Sequence, residues 1–162
     1  MDHPPPPPEQ GVYVVGAAIV AGSRCLVVQR GEAMSSPLKW EFPGGKVEPG
    51  ELPRQALERE IQEELGMAIS AGDWLGRGTA HSAAGRLIVL DVFLAHPLHR
   101  RLELREHRQW GWFQASALPD LDWAAADVPV LPAVQRLLRR LADATARDAP
   151  GTSSPGAGTR SR

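Results

Sequence analysis

The 162-residue sequence has one cysteine, Cys25, and one tyrosine, Tyr13. A lone cysteine cannot close an internal disulfide, so a disulfide-stapled scaffold is excluded and a reducing compartment fits. Cys25 lies in an apolar run and is expected to pack in the core. No apolar run reaches the roughly 18 residues that a bilayer-crossing helix needs, and the expectation is a soluble cytoplasmic protein without membrane contact. Neither sign of charge dominates: 18 Lys and Arg face 19 Asp and Glu, for a net charge of −1. That balance argues against a broad nucleic-acid-binding surface. His81, His96, His99 and His107 fall into no zinc spacing, and one cysteine makes no thiolate set. They are expected at the surface or in hydrogen bonds. No internal repeat is visible. The N-terminus, MDHPPPPPEQ, lacks a basic region followed by an apolar one, so it does not read as a secretory signal.

What is present suits one globular domain with a sizeable core, at 43% apolar and 23% charged residues. Residues 1–10 carry five consecutive prolines. They favour a polyproline II segment, expected as a solvated, untethered tail, with docking to a proline-binding partner as the alternative. From about Arg147 the chain reads RDAPGTSSPGAGTRSR, a composition expected to be disordered. The domain is therefore set at 11–146. Within it, Val12 to Ala21 and Arg24 to Gln29 read as strands of a hairpin turning at Gly22-Ser23. Leu38 to Phe42 reads as a short extended piece ending at Pro43. Trp74 to His81 and Leu87 to His96 form a second hairpin around Ser82-Ala83-Ala84-Gly85, and Gln109 to Phe113 is a further strand. A last helix covers Pro132 to Leu141, with Val134, Leu137, Leu138 and Leu141 on one face. Strands and helices mix without regular βαβ alternation, which argues an α+β fold, a mixed sheet with helices on its faces.

The densest pattern is Gly45 to Met67, GKVEPGELPRQALEREIQEELGM. Leu57, Ile61 and Leu65 recur at i, i+4 and i+8 with Ala56 beside them, so Leu52 to Leu65 reads as an amphipathic helix. Pro53 is tolerated in its first turn and Gly66 ends it. Glu60, Glu63 and Glu64, at i, i+3 and i+4, gather three carboxylates on one face. Such like charges repel unless a cation sits between them, and carboxylate oxygens suit Mg²⁺ or Mn²⁺. A solvated acidic face is the alternative for these three residues alone. Ahead of the helix, the turn Phe42-Pro43-Gly44-Gly45 would let backbone approach a ligand closely.

Gly45, Glu51, Arg59, Glu60, Ile61, Glu63, Glu64, Gly66 and Met67 fill every fixed slot of a known signature, and the chain resembles the Nudix family over Val12 to Leu141. Lys39 to Lys46, with Gln29-Arg30 and Trp123 to Pro129, is most similar to its MutT-type branch. Glu106-His107, Trp110 and Ala126-Asp127-Val128-Pro129 look like the CTP-type members. The resemblance implies an α/β/α sandwich and a monomer or homodimer. It also implies hydrolysis of a small-molecule nucleoside triphosphate to monophosphate and pyrophosphate, with nucleotide-pool sanitation as a biological hypothesis. A binding module without turnover is the alternative, but the loss of glutamates that would mark one is not seen.

By resemblance Glu60, Glu63 and Glu64 hold Mg²⁺ with the Gly44 carbonyl, Arg59 orients Glu60 or its neighbours, and Glu51 ties loop to helix. Gly45 and Gly66 are structural. The general base is Glu60 or Glu106; Glu106 also binds metal, with Glu103 able to replace it. Arg30 and Lys46 are expected near the substrate, and Phe42 as a face for the base. Asp127 would read the base edge, as an ionised acceptor preferring an amino group, or else cap the last helix.

Overall fold

The computed structural model describes residues 3–151. The last eleven residues of the expected C-terminal tail lie outside that range. In chain order the elements are β1 (Val12–Ala21), β2 (Arg24–Gln29), β3 (Trp40–Glu41), β4 (Gly44–Lys46), α1 (Pro53–Leu65), β5 (Ile69–His81), β6 (Leu87–Pro97), β7 (Gln109–Phe113) and α2 (Leu131–Asp148). Short 3₁₀ turns at Ala115–Asp120 and Val128–Val130 lie between β7 and α2.

β1 organises the seven-stranded mixed sheet, whose main order is β3-β2-β1-β6-β5. It runs parallel to β6 from Val12↔Ile88 to Ile19↔Ala95. Its first half pairs antiparallel with β4, and its end turns through Gly22-Ser23 into β2. The strand is apolar throughout because both of its faces are covered. Val15, Ala17 and Ile19 point to one side, where Leu57, Ile61 and Leu65 of α1 complete one core. Ala18 and Val20 point to the other, beneath Val134 and Leu138 of α2. The layers are helix, sheet, helix, as the resemblance implied. Cys25 is fully buried in the α2-side core, and burial pushes its thiol up to about 12, so it packs as a small apolar group.

α1 starts at Pro53 and stops at Gly66, which takes φ 58° while its N–H returns to the Gln62 carbonyl. Each fully buried Leu or Ile on this helix contributes about 1.5–3 kcal/mol. Arg54 Nε donates to the Gly72 carbonyl at 2.8 Å, and Glu58 Oε1 accepts from Ala71 N at 3.1 Å. These two side chains lash α1 to the irregular stretch of β5.

Several boundaries differ from the sequence reading. Gly44–Lys46 is a strand paired to β1 as well as part of a turn, because Gly44 lies so close that a Cβ there would fall 1.9 Å from the Val15 carbonyl oxygen. Leu38 is not extended but has φ 62°, in a loop folded back by Leu38 N–H donating to the Arg30 carbonyl. β5 starts five residues before Trp74. α2 runs past Leu141 and takes in Arg147 and Asp148. At the other end, the Pro6 carbonyl accepts from Arg77 Nη2 at 3.1 Å, so the proline segment is tethered to β5.

Candidate active site

The signature folds into a frame around one guanidinium. Arg59 Nε and Nη2 form a fork on Glu51 at 2.7 and 2.9 Å. Nη1 reaches Glu60 at 2.9 Å and Glu63 at 3.2 Å, and Nη2 also donates to the Lys46 carbonyl at 3.1 Å. All five N–H groups of the guanidinium are thereby engaged, which only arginine can do. The paired guanidinium holds Glu51 well below the usual carboxylate range, at about 2, helped by the Glu48 N–H. The same contacts raise Arg59 above its ordinary value. Arg59 thus joins the loop before α1, the strand β4 and the acidic face of α1. Gly45 is needed at this joint because a Cβ would come within 2.3 Å of the Glu60 carboxylate.

The three glutamates sit in different environments. Burial raises Glu60, against the opposing Arg59 hydrogen bond. Glu63 is the most exposed, at 57% of its side chain. Glu64 is raised by burial first and next by the charge of Glu106, and its Oε2 is buried with no hydrogen-bond partner. Among the described residues, no three acidic, histidine or cysteine side chains already close around one point, and Arg59 holds an oxygen each of Glu60 and Glu63. The donor set still fits a hard divalent cation. It is all oxygen, it adjoins the Gly44–Gly45 backbone, and a buried carboxylate oxygen without a donor is what a cation would satisfy. Glu106, whose charge reaches Glu64, stands on this side of the molecule. The backbone of Glu103 is tied to the end of α1, its N–H donating to the Leu65 carbonyl at 2.9 Å.

The residues expected to meet substrate lie at the neighbouring end of the sheet. Lys46 is exposed on β4. Arg30 is committed, donating to Glu41 Oε2 at 2.8 Å, to Ser35 Oγ at 2.8 Å and to the Ser35 carbonyl; it braces the loop 31–38. The Phe42 ring is 3% exposed and packs on Trp123 at 4.9 Å between centroids. This is the geometry of a core aromatic, in contrast to the open face expected for a base. Its backbone is the more telling part, because Phe42 N–H donates to Asp127 Oδ1 at 2.9 Å.

Asp127 is 4% exposed and caps nothing with its side chain. It is brought here because the loop 122–127 runs beside β3, with Ala124 N–H bonded to the Trp40 carbonyl, and lies over Gly78, where a Cβ would strike the Ala126 carbonyl at 1.7 Å. Burial pushes its carboxyl up to about 8, with the Phe42 N–H opposing. Against the expectation of an ionised acceptor, this environment favours the protonated carboxyl, which can donate as well as accept.

Two features escaped the sequence reading. Glu41 links Arg30 to His107, whose Nε2 lies 2.9 Å from Glu41 Oε1, so His107 is buried and takes the hydrogen-bonding role, the second of the two places expected for it. Asp91, fully buried, accepts from Tyr13 Oη at 2.6 Å, Trp74 Nε1 at 3.1 Å and Arg77 at 2.8 and 2.9 Å. Its signal is a single acid inside the apolar run Leu87 to Ala95, since a lone charge there must be paired.

Comparison with known proteins agrees with this geometry. A model of the NUDIX domain matches residues 11–134. The CTP pyrophosphohydrolase of Escherichia coli (strain K12) is 35% identical over 126 residues, 78% of this chain and 93% of the relative. A putative 8-oxo-dGTP diphosphatase 2 of Mycobacterium tuberculosis (strain CDC 1551 / Oshkosh) is 39% identical over 117 residues, 70% of this chain and 81% of the relative. The crystal structure of a MutT NUDIX hydrolase from Burkholderia pseudomallei superposes with a TM-score of 0.69 at 33% identity, covering 78% of this chain and 99% of that one. With a complete signature, the Arg59-centred frame that signature builds, and a domain match across most of its length, this chain belongs to the Nudix hydrolase family.

Proposed function

We propose that the protein is a MutT-type nucleoside triphosphate pyrophosphohydrolase that cleaves a (deoxy)nucleoside triphosphate to monophosphate and pyrophosphate. The observation that carries the reading is the buried, donorless Glu64 Oε2 beside Glu60, Glu63 and Glu106. It is supported by the names of the two relatives above, a CTP pyrophosphohydrolase and a putative 8-oxo-dGTP diphosphatase. The candidate substrates are therefore CTP, dCTP or 5-methyl-dCTP, and oxidised purines such as 8-oxo-dGTP. Removal of modified triphosphates from the nucleotide pool is the role this suggests, and it would place the protein in the cytoplasm.

The residues that would hold Mg²⁺, or Mn²⁺ in its place, are Glu60, Glu63, Glu64, Glu106 and the Gly44 carbonyl. When bound, such an ion offsets charge on phosphate oxygens and acidifies water. Water attacks an interior phosphorus and the anhydride bond between the α- and β-phosphates breaks, expelling pyrophosphate from the α-phosphorus or the monophosphate from the β-phosphorus, while a carboxylate, Glu60 or Glu106, takes the water proton. Arg59 keeps Glu60 and Glu63 oriented through its hydrogen bonds. Lys46, exposed beside this face, supplies positive charge to the phosphates. Arg30 serves the substrate indirectly, by holding the loop 31–38. At the base end, Asp127 presents a carboxyl that donates or accepts, fixed by the Phe42 N–H.

The test is turnover of CTP, dCTP, 5-methyl-dCTP, dGTP and 8-oxo-dGTP with Mg²⁺, scoring monophosphate and pyrophosphate beside a Glu63→Gln control. One preferred triphosphate is expected, with activity in the control lower by about 100-fold. Absence of turnover on every triphosphate would refute the proposal.

A further inference from the structure

The loop carrying Glu106 is tied to the sheet in three ways. Arg108 N–H donates to the Gln29 carbonyl at 2.9 Å. The Glu106 carbonyl lies against Gly31, where a Cβ would stand 2.7 Å from it. Both ties involve backbone at the loop, and neither depends on a loop side chain. The third does: His107 turns inward, 8% exposed, and sets Nε2 2.9 Å from Glu41 Oε1. Nδ1 of the ring is buried without a partner among the described residues, so Glu41 makes the one hydrogen bond that orients the imidazole there. Glu106, the preceding residue, is exposed.

Glu41 serves two masters. Its Oε2 accepts from Arg30 Nη1 at 2.8 Å, and Arg30 Nη2 donates to Ser35 Oγ at 2.8 Å. The chain Ser35, Arg30, Glu41, His107 therefore links the loop 31–38 to the loop carrying Glu106, the two loops whose Gly31, Glu32, Ala33, Met34 and Glu106 line a cavity of about 390 Å³. Glu106 in turn lies near enough to raise Glu64, and His107 near enough to oppose that shift.

We infer that His107 is a positioning residue for divalent-metal binding: by seating its ring on Glu41, it fixes the adjacent Glu106 carboxylate beside Glu64. The inference rests on the reading of Glu106 as a metal ligand, and it makes Glu41 the common anchor of the metal-side loop and the loop 31–38. Groups that orient a metal ligand from behind typically change affinity by about 10–100-fold when removed.

The experiment titrates Mn²⁺ into the nucleotide-free full chain, following free Mn²⁺ by electron paramagnetic resonance. His107→Ala and Glu106→Gln are each expected to weaken binding by about tenfold or more, and the double variant to bind no more weakly than Glu106→Gln alone. His107→Gln, whose amide N–H can donate to Glu41 in place of Nε2, is expected to recover most of the affinity, which a loss of fold alone would not allow. Wild-type affinity in His107→Ala, or losses that add in the double variant, would overturn the inference while leaving Glu106 a ligand. Wild-type affinity in Glu106→Gln would instead remove Glu106 from the metal set, and the inference with it.

Discussion

Asp91 and Asp127 are both buried carboxyl groups near β6 and β5, yet their surroundings are opposite. Asp91 receives four hydrogen bonds from Tyr13, Trp74 and Arg77, and its charge is matched by a guanidinium at 2.8 Å. Burial first, and then the Asp91 carboxylate, raise the Tyr13 hydroxyl above its usual range, with Arg77 opposing. Asp127 receives one hydrogen bond from outside its own loop, from the Phe42 N–H, and among the described residues no cation pairs with it. The first group has spent its hydrogen-bonding capacity on structure. The second keeps capacity free at the end of the sheet where substrate is proposed to bind. Saturation thus separates a buried acid that holds a fold from one available to a ligand.

The sharpest way to break this comparison is Asp91→Ala. It strands the Arg77 charge and leaves the Tyr13 and Trp74 donors without their acceptor, and should cost about 3 kcal/mol, near the lower end for a broken buried pair because Arg77 keeps some solvent access. Urea denaturation measures the loss; a change below about 1 kcal/mol would show that the network is not a structural one. Asp127→Asn should behave in reverse. Its amide oxygen can still accept from Phe42, so stability below about pH 4, where the wild-type carboxyl is protonated folded or unfolded, should change little, while discrimination between cytosine and guanine triphosphates shifts by about 1–3 kcal/mol in kcat/KM. Equal discrimination in both proteins would take Asp127 out of base reading.

The pH dependence of stability distinguishes the two as well. Asp127 has a folded value raised to about 8 from 3.8, so the folded chain keeps a proton that the unfolded chain loses. Its contribution is full below about pH 4, declines as pH rises, and is gone above about pH 8. Wild type should therefore lose stability relative to Asp127→Asn across that window, and parallel curves from chemical denaturation would contradict the assigned environment. The smallest effect is expected at the proline segment. Removing residues 1–8 deletes the Pro6 contact on Arg77, one exposed hydrogen bond, and should cost about 0.5–1 kcal/mol without altering kcat.

The legibility of the chain followed the range of the interactions. Strand β7 matches its sequence limits residue for residue, and α1 differs by one residue at its start, because periodicity, a first-turn proline and a terminal glycine are local signals. The paired strands β3 and β4 were harder. Two or three residues long, they exist because β1 and β2 lie alongside them, which no local pattern records. The site divides in the same way. Arg59, Glu60, Glu63 and Glu64 are legible together because one helix sets their spacing. Glu41 and His107 stand 66 positions apart and meet only when β3 and the loop before β7 are both laid against β2.

By itself the sequence determined the longer elements, the acidic face of α1, the glycine pair ahead of that helix, and the family to which these belong. Only the tertiary structure decided the protonation of Asp127, the inward turn of the Phe42 ring, the commitment of Arg30 to Glu41, and the saturation of Asp91. The physical reason is that residue type and spacing set local geometry, whereas burial, proton affinity and hydrogen-bond supply depend on what the rest of the chain brings to the same place.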